Sequence, residues 1–247
     1  TTAVVQCHSI GMHREREKIA AAIQNVFGDK IKAIYDKSIE SLPPNYAADF
    51  ENGYLLGDFS EKAVIENGHQ FLVNWETGQK TGFFLDQRNN RQYLTDFCKG
   101  KKVLNAFCYS GGFSVYALAA GATMVHSVDI SQKAIDLTDA NIKINNLPEE
   151  RHTSFTADVL KFLQSETENY EVMVVDPPAY AKTIKKRHNA VQGYKRLNAA
   201  ALSRIAPGGI LFTFSCSQVV DKPLFYNTIV AAAIEAKRNV RVLAHLS

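Results

Sequence analysis

The feature that most constrains this chain is an alternation: from residue 102 onward, short β-rich runs take turns with helical stretches. The runs are KVLNAF (102–107), MVHSVD (124–129), TSFTAD (153–158), YEVMVVD (170–176), ILFTFS (210–215) and VRVLAHL (240–246). Apolar strands separated by helices pair in parallel, because each crossover helix returns the chain to the same end of the sheet and covers one of its faces. The expected fold over residues 86–247 is therefore α/β, a Rossmann-like, doubly wound, mostly parallel sheet. Ser131 reads as the N-cap of the helix through SQKAIDLTDANIKINN, and Gly208-Gly209 as the close of the helix before the fifth strand.

Residues 1–85 read differently. A charged helix near 13–27 precedes short strands around the turns ENGHQ and ETGQK, and Asn67-Gly68 suits a tight hairpin. This predicts a smaller α+β domain with a contribution to RNA binding, joined to the larger one near LDQRNNR, where Asp86 is set to cap a helix reaching Phe97. The chain begins inside an apparent strand, TTAVVQC, and stops after another, as a piece of a longer chain would.

Composition narrows the class. At 247 residues and 46% hydrophobic, the chain can bury a full core. No apolar run approaches the roughly 18 residues of a membrane span, and the N-terminus lacks a signal-peptide pattern, so no membrane partner and a cytoplasmic location are expected. Cys7, Cys98, Cys108 and Cys216 show neither CxxC pairs nor metal-ligand spacing with histidine, which predicts free thiols and no metal. A net charge of +3 permits a nucleic-acid partner without requiring one.

In an open parallel sheet, ligands bind beyond the carboxyl ends of the strands. The first strand ends in CYSGGF (108–113), too poor in glycine for a dinucleotide fingerprint. The second ends in Asp129, placed to accept from ribose hydroxyls, and the third in Asp158, placed to meet an adenine edge. An adenosine without pyrophosphate fits, and S-adenosylmethionine is such a molecule. Singly, each feature has a plainer reading: Gly111 and Gly112 make a turn, and the aspartates cap strand ends. Together at successive strand ends they favour the cofactor. Its candidate residues are Phe107, Tyr109, Ser110, Gly111, Asp129, Ile130, Asp158, Val159 and Asp176.

The fourth strand ends in VVDPPAY (174–180) and the fifth in FTFSCSQ (212–218). A free cysteine is usually an inert small hydrophobe. In a doubly wound sheet, however, the fourth and fifth strands are neighbours, so Asp176 and Cys216 share a cleft, and Pro177 and Pro178 remove two amide donors beside it. A thiol and a carboxylate suit methylation of a pyrimidine at carbon 5, which becomes nucleophilic only after a thiolate adds to carbon 6. Cys216 is the candidate nucleophile and Asp176 its partner; no acceptor for the carbon 5 proton stands out. Tyr180 is placed to stack on an extruded base, with Tyr194 nearby. Lys182, Lys185, Lys186, Arg187, Lys195 and Arg196 offer a phosphate rim. KGKK (99–102) lies at the opposite end of the first strand. Rival readings are methylation of an adenine or guanine amino group, since a carboxylate, Pro-Pro and an aromatic can grip an exocyclic amine, and a non-catalytic RNA-binding protein with the same fold.

The blocks GQKTGFFLDQRNNR, VLNAFCYSGGFSVYAL, SVDIS, DPPAY, GYKRLN and FSCS, in this order, resemble the bacterial ribosomal large-subunit RNA cytosine-5 methyltransferase family from about Gly53 onward. The resemblance implies a class I methyltransferase fold, S-adenosylmethionine as cofactor, ribosomal RNA as partner and a catalytic cysteine that maps onto Cys216. It also implies that Lys80, Thr81 and Arg88 lie near the cofactor. That family carries an N-terminal PUA RNA-binding domain, which these residues do not include. A related branch acting on guanine N7 has asparagine where Cys216 stands, so the cysteine favours the cytosine branch.

Overall fold

The structure is a computed structural model that describes residues 1–58, 63–78, 82–165 and 167–246. It divides into two compact units, Thr1–Val64 with Leu72–Leu85, and Ile65–Phe71 with Asp86–Ser247.

The first unit contains β1 (Thr2–Val5), α1 (Ile10–Arg14), α2 (Arg16–Phe27), β2 (Ala33–Asp36), α3 (Pro44–Ala47) and β3 (Gly53–Leu56). β2 is the central strand, parallel to β1 and antiparallel to β3, and all four of its side chains are buried. Ser9 caps α1, its hydroxyl accepting from Met12 N at 3.3 Å. Buried Asp36 is held by His13 Nε2 at 3.3 Å and by the Ser38 hydroxyl. The chain turns at ETGQK as expected, over 75–78, where Asn74 accepts from both Thr77 N and Gly78 N at 2.9 Å and folds the chain back, but residues 82–85 after it form no strand. Residues 79–81 lie outside the described residues.

A hairpin follows, β4 (Ala63–Glu66) and β5 (His69–Leu72), turning on Asn67-Gly68 with φ of 48° and 86°. Two left-handed residues match the twist of the flanking strands. Ile65–Phe71 belongs to the second unit, where Arg91 grips Glu66 through two hydrogen bonds of 2.7 and 2.8 Å and Tyr116 donates to the same carboxylate at 3.0 Å.

The rest of the second unit is α4 (Arg88–Cys98), β6 (Lys102–Ala106), α5 (Gly112–Ala119), β7 (Met124–Asp129), α6 (Gln132–Ile144), β8 (His152–Thr156), α7 (Val159–Ser165), β9 (Tyr170–Val175), α8 (Arg187–Arg204), β10 (Ile205–Thr213) and α9 (Lys222–Glu235). Its five strands are parallel in the order β10-β9-β6-β7-β8. The order reverses at β6, so the switch point lies among the ends of β6, β7 and β9. Leu104, Met173, Val175, Leu197 and Leu202 lie in the buried core. Among the described residues no helix is long and apolar enough to cross a membrane.

Several local expectations fail. Asp86 sits in a short 3-10 turn, and α4 starts after Gln87 without a side-chain cap. Ser131 is at the N-cap position of α6, but its hydroxyl makes no capping bond; its amide donates to Asp129 Oδ1 at 2.9 Å. Gly208 and Gly209 do not close α8. The helix ends at Arg204, and the glycines sit in a register break of β10 between Ile205 and Ile210. Residues 240–246 form no strand: Val240, Val242 and Leu243 are exposed, and a β-prone run without a partner strand or a buried face is not held.

Candidate active site

Beyond Ala106 the chain turns through three left-handed residues, Phe107 (φ 62°), Tyr109 (φ 47°) and Gly111 (φ 70°). For the two non-glycine residues this conformation costs about 1–3 kcal/mol each, and the surroundings over-determine it. Phe107 N and Cys108 N donate to Val128 O at 2.8 and 3.1 Å, and Tyr109 N donates to Asp129 Oδ2 at 3.1 Å. From α6, Thr138 Oγ1 donates to Tyr109 O at 3.1 Å and Asn141 Nδ2 to Ser110 O at 2.8 Å. Glycine is required at 111 by its φ and by Thr138, whose Cγ2 would lie 2.6 Å from an added Cβ. Close packing inside the chain, rather than a ligand, sets that position. Ser110 is buried.

Asp129 is thus bonded through both oxygens to backbone amides, yet it stays partly exposed with lone pairs to spare. Ile130 beside it is exposed. Asp158 is also a cap, accepting from Lys161 N at 2.9 Å at the start of α7. With Phe107, Val159, Tyr180, Gly193 and Arg196 it lines a cleft of about 340 Å³. The capping and ligand readings of these aspartates are compatible.

Pairing of β9 and β10 extends one residue past the strands, with Phe214 N donating to Val175 O at 3.0 Å, so Asp176 and Cys216 leave adjacent strand ends. Cys216 is exposed, while Cys7, Cys98 and Cys108 are buried. Burial pushes the Cys98 and Cys108 thiols up to about 12. Cys216 Sγ donates to Pro177 O at 3.7 Å, and Ser217 Oγ pins the following turn by donating to Ala181 O at 2.6 Å. Asp176 Oδ2 accepts from Gln87 Nε2 at 3.1 Å, and Gln87 Oε1 accepts from buried Asn90 Nδ2 at 2.7 Å.

Pro177 is buried and Pro178 exposed. Tyr180 is 39% exposed, its ring lying over Gly193 and tilted against Tyr194 at 4.7 Å; burial pushes its hydroxyl up to about 12. Tyr194, expected among the substrate-binding residues, is fully buried and offers no face for a base. Lys182, Lys185, Lys186, Arg187 and Arg196 are exposed. Lys195 leaves the expected rim, because it pairs with Glu235 on α9 at 2.7 Å. The Arg88 guanidinium holds the hairpin turn at Asn67 Oδ1, at 3.2 and 2.9 Å. Lys80 and Thr81 lie outside the described residues.

Gln87, Asn90, Thr138 and Asn141 escaped sequence reasoning. For the α6 pair a signal existed: Thr138 and Asn141 interrupt the buried stripe of Ala134, Ile135 and Ile142, and a buried polar side chain needs a partner. Among the described residues, no cluster of His, Cys, Asp or Glu is arranged to hold a metal ion.

Residues 36–237 match the profile of the S-adenosylmethionine-dependent methyltransferases. The chain is 37% identical over 250 residues to ribosomal RNA large subunit methyltransferase I of Aeromonas hydrophila, covering 99% of this chain and 62% of that relative. It therefore spans under two thirds of the length of such relatives. Among solved structures, SMU.776 complexed with SAH superposes with a TM-score of 0.78 at 24% identity, covering 94% of this chain and 60% of that one. A Streptococcus mutans protein assigned as a SAM-dependent methyltransferase does so with a TM-score of 0.77 at 25% identity, covering 94% and 59%.

Proposed function

Because the chain belongs to the S-adenosylmethionine-dependent methyltransferase family, we propose that its second unit forms 5-methylcytosine in large-subunit ribosomal RNA, with Cys216 as nucleophile. The observation that carries this reading is an exposed thiol at the end of β10 beside a carboxylate at the end of β9. The likeness to the Aeromonas enzyme and the exposed basic run over 182–187 support RNA as the substrate.

The strand ends suit the cofactor. Asp129 would take the ribose hydroxyls, Asp158, Val159 and Phe107 the adenine at the 340 Å³ cleft, and the constrained backbone of Tyr109 to Gly111 the amino-acid end. When bound, S-adenosylmethionine supplies an electrophilic methyl group on its sulfonium.

The chain's own residues make cytosine reactive toward it. The Cys216 thiolate adds to carbon 6, forming a carbon–sulfur bond and moving the ring electron pair onto carbon 5. Asp176, steadied by Gln87, faces the N3 and amino edge of the ring and holds it in place. Once carbon 5 is methylated, its proton passes to solvent water, the electron pair of that C–H bond restores the ring double bond, and the carbon–sulfur bond breaks to release the thiolate. Tyr180, with one face on Gly193 and part of its ring exposed, is the stacking platform.

The test is digestion and mass spectrometry of ribosomal RNA after incubation with labelled methyl donor. Label is expected in 5-methylcytosine with the native protein and nowhere with Cys216→Ala. Label on an exocyclic amine, or turnover surviving in Cys216→Ala, overturns the covalent reading in favour of amino-group methylation.

A further inference from the structure

Asp176 is followed by Pro177 and Pro178, so the two backbone amides that ordinarily cap an aspartate from the next residues are missing. A side-chain donor reaches it from the start of α4. Gln87 Nε2 donates to Asp176 Oδ2 at 3.1 Å, and the other end of that amide, Oε1, accepts from Asn90 Nδ2 at 2.7 Å. Gln87 is half-buried at the N-cap position of α4, and Asn90, 2% exposed, lies in the first turn. All three residues belong to the second unit.

A primary amide carries a donor at one end and an acceptor at the other, so this chain of bonds has a direction. Asn90 takes the Gln87 oxygen, and that leaves N–H to face Asp176. Were the amide reversed, its oxygen would stand against Oδ2 and require a proton there. A donated N–H favours the ionised carboxylate instead. The side chains of α4 therefore keep Asp176 an acceptor.

The attack of Cys216 on carbon 6 does not distinguish cytosine from uracil, since the two rings share carbons 5 and 6. They differ at position 4, where cytosine presents an amino donor and uracil an oxygen acceptor. We infer that Gln87, oriented by Asn90, is the positioning residue that selects cytosine over uracil, by holding Asp176 as an acceptor for the 4-amino group. Uracil would set its oxygen against a carboxylate oxygen with no proton between them. A site of that kind rejects it by about 10⁴-fold. The inference rests on the reaction above, with Cys216 at carbon 6 and Asp176 at the amino edge.

The measurement compares two RNAs, a large-subunit ribosomal RNA fragment carrying the methylated cytosine and the same fragment with uracil in its place. For each, kcat/KM with labelled methyl donor is read by digestion and mass spectrometry between pH 6 and 9. In Gln87→Glu two carboxylates meet at about 3 Å and share a proton, so Asp176 can donate as well as accept. The preference for cytosine is expected to shrink about 100-fold at pH 7, the worth of one hydrogen bond to a charged group. It should widen again as pH rises and the shared proton leaves. Asn90→Asp acts one step further off: its carboxylate accepts from Gln87 Nε2, turns the amide oxygen toward Asp176, and should move the preference the same way. A merely structural role would lower both rates together and leave their ratio alone. Gln87→Glu keeps the shape of a half-buried side chain, so it decides alone should Asn90→Asp fail to fold. An unchanged preference at every pH in folded Gln87→Glu overturns the inference; if the native protein still labels 5-methylcytosine through Cys216, only this inference falls. Native label on an exocyclic amine, or turnover that survives Cys216→Ala, removes the cytosine reading and the premise with it.

Discussion

Two clusters in the second unit offer a nucleophile, and they differ in a way that composition hides. In one, Ser127 Oγ meets His152 Nε2 at 2.8 Å and His152 Nδ1 faces Asp139 at 3.6 Å, an array of hydroxyl, imidazole and carboxylate. Ser127, however, is 0% exposed, lies within β7, and also bonds to Ser114, which accepts from Asn105. That cluster ties α5, α6, β7 and β8 together. In the other cluster Cys216 is exposed where a strand ends, its Sγ donating to Pro177 O. Access at the carboxyl edge of a parallel sheet, more than the assortment of side chains, decides which group can meet a substrate.

The sharpest break of this contrast is Cys216→Ala. It should cut methyl transfer by about 10³-fold or more, while calorimetry finds S-adenosylmethionine affinity within a few fold and the melting temperature stays put. Full turnover would move the chemistry elsewhere. The buried cluster should answer to pH instead. Burial pushes His152 down to about 4 from an ordinary value near 6.5, so it is neutral in the folded chain. Stability is therefore complete above pH 6.5 and falls between pH 6.5 and 4, where the unfolded chain takes up a proton that the native imidazole refuses. The loss is about 3 kcal/mol at most. Urea titrations at pH 7 and 4.5 measure it, and His152→Gln should flatten the dependence; an unchanged slope would mean the imidazole is not held neutral.

A smaller effect belongs to Ser127→Ala, which strands two partners and should cost about 2 kcal/mol in chemical denaturation, with methyl transfer unaltered well below the melting point. Loss of activity in that folded variant would blur the division drawn above. Smallest is the basic run. If RNA is the substrate, Lys185→Ala with Lys186→Ala should reduce the salt slope of binding by about one unit per lost phosphate contact. Lys195→Ala should leave that slope alone, since its ammonium is engaged by Glu235.

Much of the larger unit is legible in the sequence. Strand runs such as MVHSVD and YEVMVV announce themselves because a parallel sheet buried on both faces demands continuous apolar segments. The misreadings share one cause, reliance on local chemistry that tertiary context overrode. Asp86 looks like a cap, but the helix begins beyond it; Gly208 and Gly209 look like a helix stop, but they absorb a strand's register break; VRVLAHL looks like a strand, but no neighbour receives it. Tyr194 reads as a substrate-binding aromatic and proves to be a ring packed wholly inside the unit.

The sequence by itself determined the type of sheet, the glycine-poor loop after the first strand, and which acids and which thiol stand at strand ends, because periodicity and turn chemistry are local properties. Only the tertiary structure decided that Gln87 reaches Asp176 and that one thiol of four is accessible. Those facts depend on contacts between residues far apart along the chain, formed when helices and strands settle against each other, and no short window of residues encodes them.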